Sequence, residues 1–542
     1  MRRYTVQQAH FAIALFGVAI LSAASSGVSA QATTQNFGGN GQIVVTENGP
    51  VSGTVTADGR KFLGIPYAKA PTGALRWKAP SAPQNWTTTR PATQFGSTCP
   101  QAATPFGFPS TNEDCLFVNV YTPPVSLISN PVVVWIHPGA FQYGEGSGFD
   151  PKKLVAKGVV VVTLNYRLGA LGWLAHPALT AEGGGSSGNY GFLDQQAALK
   201  WVKRNIIKFG GNPLKVTIAG ESAGGLSVST HMAAPSSAGL FQQAITQSGA
   251  YALALSTLAT AETQGTAYAS AVGCASGDLA CLRAVPVATL LANQSPSPSA
   301  YLPRVDGKVL PKSIQAAFTA GTFNKVPVLQ GSTHDEFTLF IATQFTLANV
   351  PVVPAGYPNY IAAILGLTPA AAQVVVPLVI QQYPLANYTS TELALAAIGT
   401  DAAFACNAAL TATLLAPSVA TYWYEFDDPD APQVFLPPVP YDYGAYHGSE
   451  LKYLFNVRET VPGTFTPAQQ QLSDAMVLNW SNFARLGNPN TLQTNIWPRF
   501  QPPLSQRVQL LTPPLPQSYT ATAFAADHKC SFWQQIAAAG GS

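Results

Sequence analysis

Six short apolar runs, each bracketed by turn residues and separated by helical patterns, limit the fold before any single residue is considered. Val132–Ile136, Val159–Leu164, Val216–Ala219, Ala244–Thr246, Val326–Leu329 and Thr421–Phe426 read as strands. Asp194–Lys208 and Ala223–Ala233 carry helical patterns between them. Strands this apolar hide both of their sides, so they belong in a mostly parallel sheet with helices on both faces. Residues 341–416 turn Ala/Leu-rich with no clear strand, and read as a helical insertion on that sheet. No Gly/Ser or Pro-rich linker and no internal repeat divides the chain. Residues 31–542 therefore read as one α/β domain in spite of their length.

Charged residues make up 10% of the 542 and hydrophobic residues 47%. A disordered chain would show the opposite balance. The formal charge of +3 includes Arg2 and Arg3, so no basic face for nucleic acid is present in the remainder. Those two arginines precede an apolar run, Phe11–Leu21, and the small-residue site Val28-Ser29-Ala30. Basic start, short apolar centre and small-x-small end describe a secretory signal peptide over residues 1–30, cleaved near Ala30. A membrane anchor is the alternative, but eleven residues fall short of the roughly 20 that cross a bilayer. Later apolar runs near 374–380 and 391–415 are interrupted by Pro, Asn, Thr or Asp. No integral membrane segment is expected in the mature chain, which should be secreted or periplasmic. In such a compartment the six cysteines, Cys99, Cys115, Cys274, Cys281, Cys406 and Cys530, favour disulfides. Their spacing fits no metal finger. Nearest-neighbour pairing gives 99–115, 274–281 and 406–530, among 15 possible connectivities.

Ligands of open α/β sheets bind beyond the carboxyl ends of the strands. There, after Val216–Ala219, stands Gly220-Glu221-Ser222-Ala223-Gly224, opening the helix Ala223–Ala233. G-x-S-x-G between strand and helix is a nucleophile elbow. The turn is so tight that side chains two before or two after the serine would strike neighbouring backbone. A serine nucleophile needs a base. In this fold type the order is Ser, acid, His, which leaves His447, in Tyr446-His447-Gly448, and His528. His528 neighbours Lys529 near the C-terminus and reads as an exposed surface residue, so His447 is favoured. The acid should follow Val326–Leu329, where Asp335 and Glu336 both stand; position does not choose between them. Backbone N–H groups for an oxyanion would come from Ala223 and from the loop His137-Pro138-Gly139-Ala140-Phe141 after Val132–Ile136.

The stretch from Phe209 through Gly220-Glu221-Ser222-Ala223-Gly224, and Glu113-Asp114-Cys115-Leu116 onward to Pro123, resemble the two signatures of the type-B carboxylesterases. That family lies in the α/β-hydrolase superfamily and includes cholinesterases and bacterial p-nitrobenzyl esterases. Further matches, from Gly64-Ile65-Pro66-Tyr67-Ala68 to Gly487-Asn488-Pro489, extend the resemblance over roughly residues 40 to 535. It implies an α/β-hydrolase fold, Glu336 as the acid, His447 as the base, Gly139, Ala140 and Ala223 as oxyanion donors, and disulfides 99–115, 274–281 and 406–530. Arg76 with Glu113, and Arg167 with Asp194, resemble the family's structural ion pairs. Three departures stand out. Pro138 and Phe337 occupy positions where Gly is usual, and the 15-residue loop between Cys99 and Cys115 carries no Trp. In cholinesterases that loop supplies the Trp that holds the choline ammonium.

The reading that follows is an exported serine carboxylesterase acting on small neutral esters through a Ser-His-Glu triad, with no metal and no cofactor. Two alternatives stand beside it. One is an enzyme for specialised esters (feruloyl, polyester, lipid or mycotoxin). The other is a non-catalytic binding protein on the same fold.

Overall fold

The structure is a computed structural model that describes residues 41–539 apart from 127, 276, 296 and 493–495. The expected signal peptide lies outside the described residues. Among the described residues the central sheet has eleven strands. In chain order they are β1 (Thr54–Thr56), β2 (Gly59–Pro66), β3 (Phe117–Thr122), β4 (Asn130–Ile136), β5 (Val160–Leu164) and β6 (Gly211–Glu221), followed by β7 (Gln243–Gln247), β8 (Val328–Thr333), β9 (Thr421–Phe426), β10 (Arg507–Leu511) and β11 (Gln517–Thr520). Their order across the sheet is β11-β10-β9-β8-β7-β6-β4-β5-β3-β2-β1. The strands from β10 to β5 run parallel, and antiparallel pairs close both edges.

All six expected strands form. Their side chains sort by the two-residue period of a strand. Val132, Val134, Ile136, Val160, Val162 and Ile218 pack into one core with the helices Tyr190–Asn205 and Ala223–Ala233. Val133, Trp135, Val161 and Ala219 pack into another with the helix Pro467–Leu486. The strands toward the two edges, β1, β2, β3, β10 and β11, were not anticipated. They mix in polar and charged residues such as Arg60 and Asn119, which their neighbours satisfy only in the folded chain.

The segment 341–416 is helical, as expected, with no strand among its described residues. One expectation needs correcting. The run Thr391–Leu415 is long and apolar enough, by length and composition, to cross a membrane. Here it packs onto the domain, with Asp401 buried at its middle. Asp401 accepts from Tyr383 Oη at 2.7 Å and faces Nδ1 of His528 at 2.6 Å. His528 is likewise not the exposed residue its sequence neighbours suggested. It is 3% exposed, and its Nε2 meets Glu425 at 2.6 Å. Burial works against its charged form, but bonds to Asp401 and Glu425 raise its pKa to about 9. Both carboxylates lie more than a hundred residues away, so nothing local marked the position.

Disulfides join Cys99–Cys115, Cys274–Cys281 and Cys406–Cys530, with Cα separations of 4.9, 5.8 and 5.2 Å. The third ties the insertion to the C-terminal helix beside His528. Arg76 grips Glu113 with two bonds, at 2.8 and 2.6 Å, and Arg167 grips Asp194 with two at 2.7 Å. The Cys406–Cys530 bond spans 124 positions and Cys274–Cys281 only 7. Replacing Cys406 and Cys530 together with Ala should therefore cost far more stability than replacing Cys274 and Cys281. The loop-entropy argument puts the larger loss at up to about 5 kcal/mol. Urea midpoints of the two double variants check the order.

Candidate active site

The sharpest bend in the chain stands at the carboxyl end of β6. Ser222 has φ 54° and ψ −119°, a region that costs a non-glycine residue about 1–3 kcal/mol. Its N–H donates to Gln247 O of β7 at 2.9 Å. A Cβ on Gly220 would lie 2.4 Å from the Gly224 carbonyl carbon, and one on Gly224 only 1.9 Å from Ile136 O. Both glycines are thus required by close backbone approach. The helix Ala223–Ala233 leaves from the bend and is buried along its length, so its positive end lies behind Ser222.

His447 and Glu336 come from loops beyond β9 and β8. His447 Nδ1–H donates to Glu336 Oε2 at 2.5 Å, and Thr333 N–H donates to Glu336 Oε1 at 2.9 Å. Asp335 faces elsewhere. Its Oδ2 accepts from Ala445 N–H at 2.9 Å and its Oδ1 lies 3.2 Å from His334 Nδ1. Of the two adjacent carboxylates, only Glu336 reaches His447, while Asp335 anchors the loop that carries it. The rings of Phe340 and Phe404 pack against the imidazole at 4.9 and 5.1 Å. Phe337, one of the departures, joins this aromatic cluster, and Gly399 makes room for it: a Cβ there would lie 2.3 Å from the ring.

On the opposite edge of the imidazole, Nε2 lies 3.1 Å from Glu221 Oε1. No hydrogen bond links Ser222 Oγ to His447 here; a nucleophile and its base commonly tighten only in the Michaelis complex. Burial opposes a charge on His447, yet Glu221 and Glu336 overcome it and hold the pKa at about 9. Burial in turn pushes Glu221 well up, despite the attraction of His447. A third buried carboxylate, Glu450, stands behind them, raised to about 7 by burial. Gln247 Nε2 donates to Glu450 Oε1 at 2.9 Å, and Trp480 Nε1 donates to Gln247 Oε1 at 3.1 Å. Sequence reasoning did not find this Gln247–Glu450 support. Its members are 203 positions apart, and neither belongs to a pattern that signals contact.

The loop after β4 supplies the remaining wall. Gly139 (φ 119°), Ala140 (φ 52°) and Phe141 (φ 60°) are all left-handed. A Cβ on Gly139 would strike Tyr143 O at 2.0 Å. The N–H groups of Gly139, Ala140 and Ala223 donate to no acceptor among the described residues. Beneath the loop, His137 stacks on Tyr166 at 4.4 Å and donates from Nδ1 to Pro138 O at 2.7 Å. Burial lowers its pKa to about 4, so it is a neutral prop. The His137–Pro138 peptide is trans, and Pro138 stiffens the loop without removing a needed donor.

Gly139, Ala140, Ser222 and His447 line one pocket, with Phe106, Phe149, Leu339 and Phe435 among its apolar walls. Of its other charged residues, Glu145 and Arg458 bond to each other at 2.9 Å. The Arg458 guanidinium also covers the face of Phe108 at 4.0 Å. Among the described residues one cluster has metal-like spacing, His334, Asp527 and His528, and it lies outside this pocket.

The architecture has counterparts among known proteins. A family model described as "Carboxylesterase family" matches residues 40–533. The para-nitrobenzyl esterase of Bacillus subtilis (strain 168) is 36% identical over 481 residues, 85% of this chain and 92% of that protein. The fumonisin B1 esterase of Sphingopyxis macrogoltabida is 33% identical over 84% of each. A solved carboxylesterase of Geobacillus stearothermophilus superposes with a TM-score of 0.76 at 30% identity, over 90% of this chain and 99% of its own. The chain is a carboxylic ester hydrolase with the α/β-hydrolase fold, and it belongs to the carboxylesterase family.

Proposed function

We propose that this protein is an exported serine esterase in which Ser222, His447 and Glu336 hydrolyse neutral carboxylic esters by way of an acyl-enzyme. The observation that carries this reading is the buried Glu336–His447 bond at 2.5 Å in the same apolar pocket as the strained Ser222. The N-terminal segment and the three disulfides support export.

Ser222 Oγ attacks the ester carbonyl while its proton passes to His447 Nε2. The carbonyl oxygen becomes an oxyanion, held by the N–H groups of Gly139, Ala140 and Ala223. Glu336 keeps the proton on Nδ1 and stabilises the imidazolium. The C–O bond then breaks, and His447 gives its new proton to the departing alcohol. Water attacks the acyl-enzyme by the same route, releases the carboxylic acid and restores the Ser222 hydroxyl. A neutral ester suits the walls, where apolar burial contributes about 25 cal/mol per Å² with no charge to desolvate.

Ser222→Ala should lower kcat by several orders of magnitude with the fold intact. Near-wild-type turnover, or organophosphate labelling of another serine, would sink the proposal. Glu336→Gln keeps an oxygen toward Nδ1 but not the charge, and should cost about 10⁴-fold in kcat, by the template triad. Asp335→Asn still accepts from Ala445 and should cost little. Steady-state kinetics of the pair reads the assignment.

The base works only when neutral, and its pKa is raised to about 9 in the free enzyme. The kcat/KM profile should therefore climb with pH toward that value. Removing the Glu221 charge lowers the imidazole pKa, so Glu221→Gln should move this limb to lower pH. An unmoved limb would exclude His447 as the titrating base.

Finally, a butyrate ester of a neutral alcohol should show higher kcat/KM than butyrylcholine. The Arg458 cation already occupies the Phe108 face and repels an ammonium. A preference for the choline ester, at matched acyl group, would reveal a cation site.

A further inference from the structure

Inside the Cys99–Cys115 disulfide, residues 101–110 form a small hairpin that reaches the active-site pocket. At its base Gln101 and Ser110 exchange backbone hydrogen bonds at 3.0 Å. The Gln101 side chain donates to Gly144 O at 3.0 Å and accepts from Gly144 N–H at 2.8 Å. At its tip Pro105 and Phe106 become pocket wall.

The tip is held in another way. Among the described residues, 102–109 make two hydrogen bonds to the chain outside the hairpin, and both go to one ion pair. Phe108 N–H donates to Glu145 Oε2 at 3.3 Å, and Arg458 Nη2 donates to Pro105 O at 3.3 Å. Arg458 Nη1 donates to Glu145 Oε1 at 2.9 Å, while the guanidinium lies 4.0 Å over the Phe108 ring. Glu145 is 2% exposed. Burial pushes its carboxyl up, and Arg458 and the Phe108 N–H are the groups that oppose this. Arg458 is anchored in turn: its N–H donates to Gly148 O at 3.1 Å, beside the paired strands Phe149–Asp150 and Asn456–Val457.

The proton path shows which half of the ester meets this tip. On the reading of Ser222 and His447 proposed above, His447 Nε2 protonates the departing alcohol. The alcohol half therefore lies on the Nε2 side of the imidazole, with Glu221 and Gly448. A Cβ on Gly448 would stand 3.8 Å from the Phe435 ring. The Phe435 and Phe106 rings are 6.1 Å apart, and Phe106 stacks on Tyr143 at 6.1 Å. The hairpin tip thus forms the far end of the alcohol's side.

We infer that the Arg458–Glu145 pair determines specificity at this site: by pinning the hairpin tip, it limits the bulk of the alcohol that an ester can carry. Esters of small alcohols and single-ring phenols are favoured, and the acyl half is not restricted by this pair.

Acetates of phenol and 4-phenylphenol test this with the mature enzyme, because the two leaving groups are alike in acidity and differ in bulk. Phenyl acetate should be the better substrate of the wild type. In Arg458→Met the kcat/KM of the 4-phenylphenyl ester should rise about tenfold relative to phenyl acetate, the lower end of what pocket contacts discriminate. Phe108 is 54% exposed, so Phe108→Ala loosens the same tip without touching the core if Arg458→Met proves unstable. Its ratio should shift in the same direction. Phenyl benzoate, larger on the acyl side alone, should keep its ratio to phenyl acetate in both variants. Adding Ser222→Ala to either variant should abolish hydrolysis of all three esters; activity that survives it counts against the triad and not against the hairpin. A 4-phenylphenyl ratio unchanged in both variants, or a loss shared equally by all three esters, would overturn the inference. A benzoate ratio that shifts as far as the 4-phenylphenyl ratio would overturn it too.

Discussion

The site depends on how closely three stretches of backbone approach one another at the carboxyl ends of β4, β6 and β7. Gly224 sits against Ile136 O, Gly220 against Gly224, and Gly225 within 2.6 Å, measured from an added Cβ, of Gln247 O. No side chain fits between them. Ser222 is therefore driven into a left-handed turn, and its N–H is fixed by Gln247 O. The parallel register of these strands supplies the constraint, and the surrounding core offsets the strain. Packing sets the position of the Ser222 hydroxyl here: loosening the glycines would free the turn and move the hydroxyl with it.

Charge is scarce in this chain, and its placement near His447 is correspondingly uneven. Three buried carboxylates, Glu221, Glu336 and Glu450, face one imidazole within an apolar shell. In so dry a setting each loses hydration, so burial raises Glu221 and Glu450 while their joint field raises His447. Glu336 escapes isolation through the Thr333 N–H and the imidazole itself. The aromatic faces of Phe340 and Phe404 cover the imidazole without offering it another acceptor.

The helical insertion is part of this arrangement, because it delivers Phe404 to His447 and Thr400 to the N–H of Phe337. It is held by the Cys406–Cys530 bond and by His528 between Asp401 and Glu425. That charged cluster also contains His334 and Asp335. Asp335 in turn fixes Ala445, two residues before His447. Structural charge therefore connects the C-terminus, the insertion and the histidine loop by direct contacts.

Much of this was written locally in the sequence. Strand and helix periods determined the parallel core, because burial on two faces leaves a continuous apolar run. The Gly-x-Ser-x-Gly spacing determined the elbow, because its steric demand is confined to five residues. Tertiary structure alone decided the rest. Asp335 and Glu336 are adjacent carboxylates of nearly equal chemistry, told apart beforehand only by the family resemblance, and the path of the chain after β8 turns Glu336 toward His447 and Asp335 toward Ala445. His528 looked like a surface residue because its two acidic partners are remote in sequence. The Gln247–Glu450 support was hidden for the same reason. Whether a polar group is satisfied depends on what meets it across the fold, and a sequence records only what stands beside it along the chain.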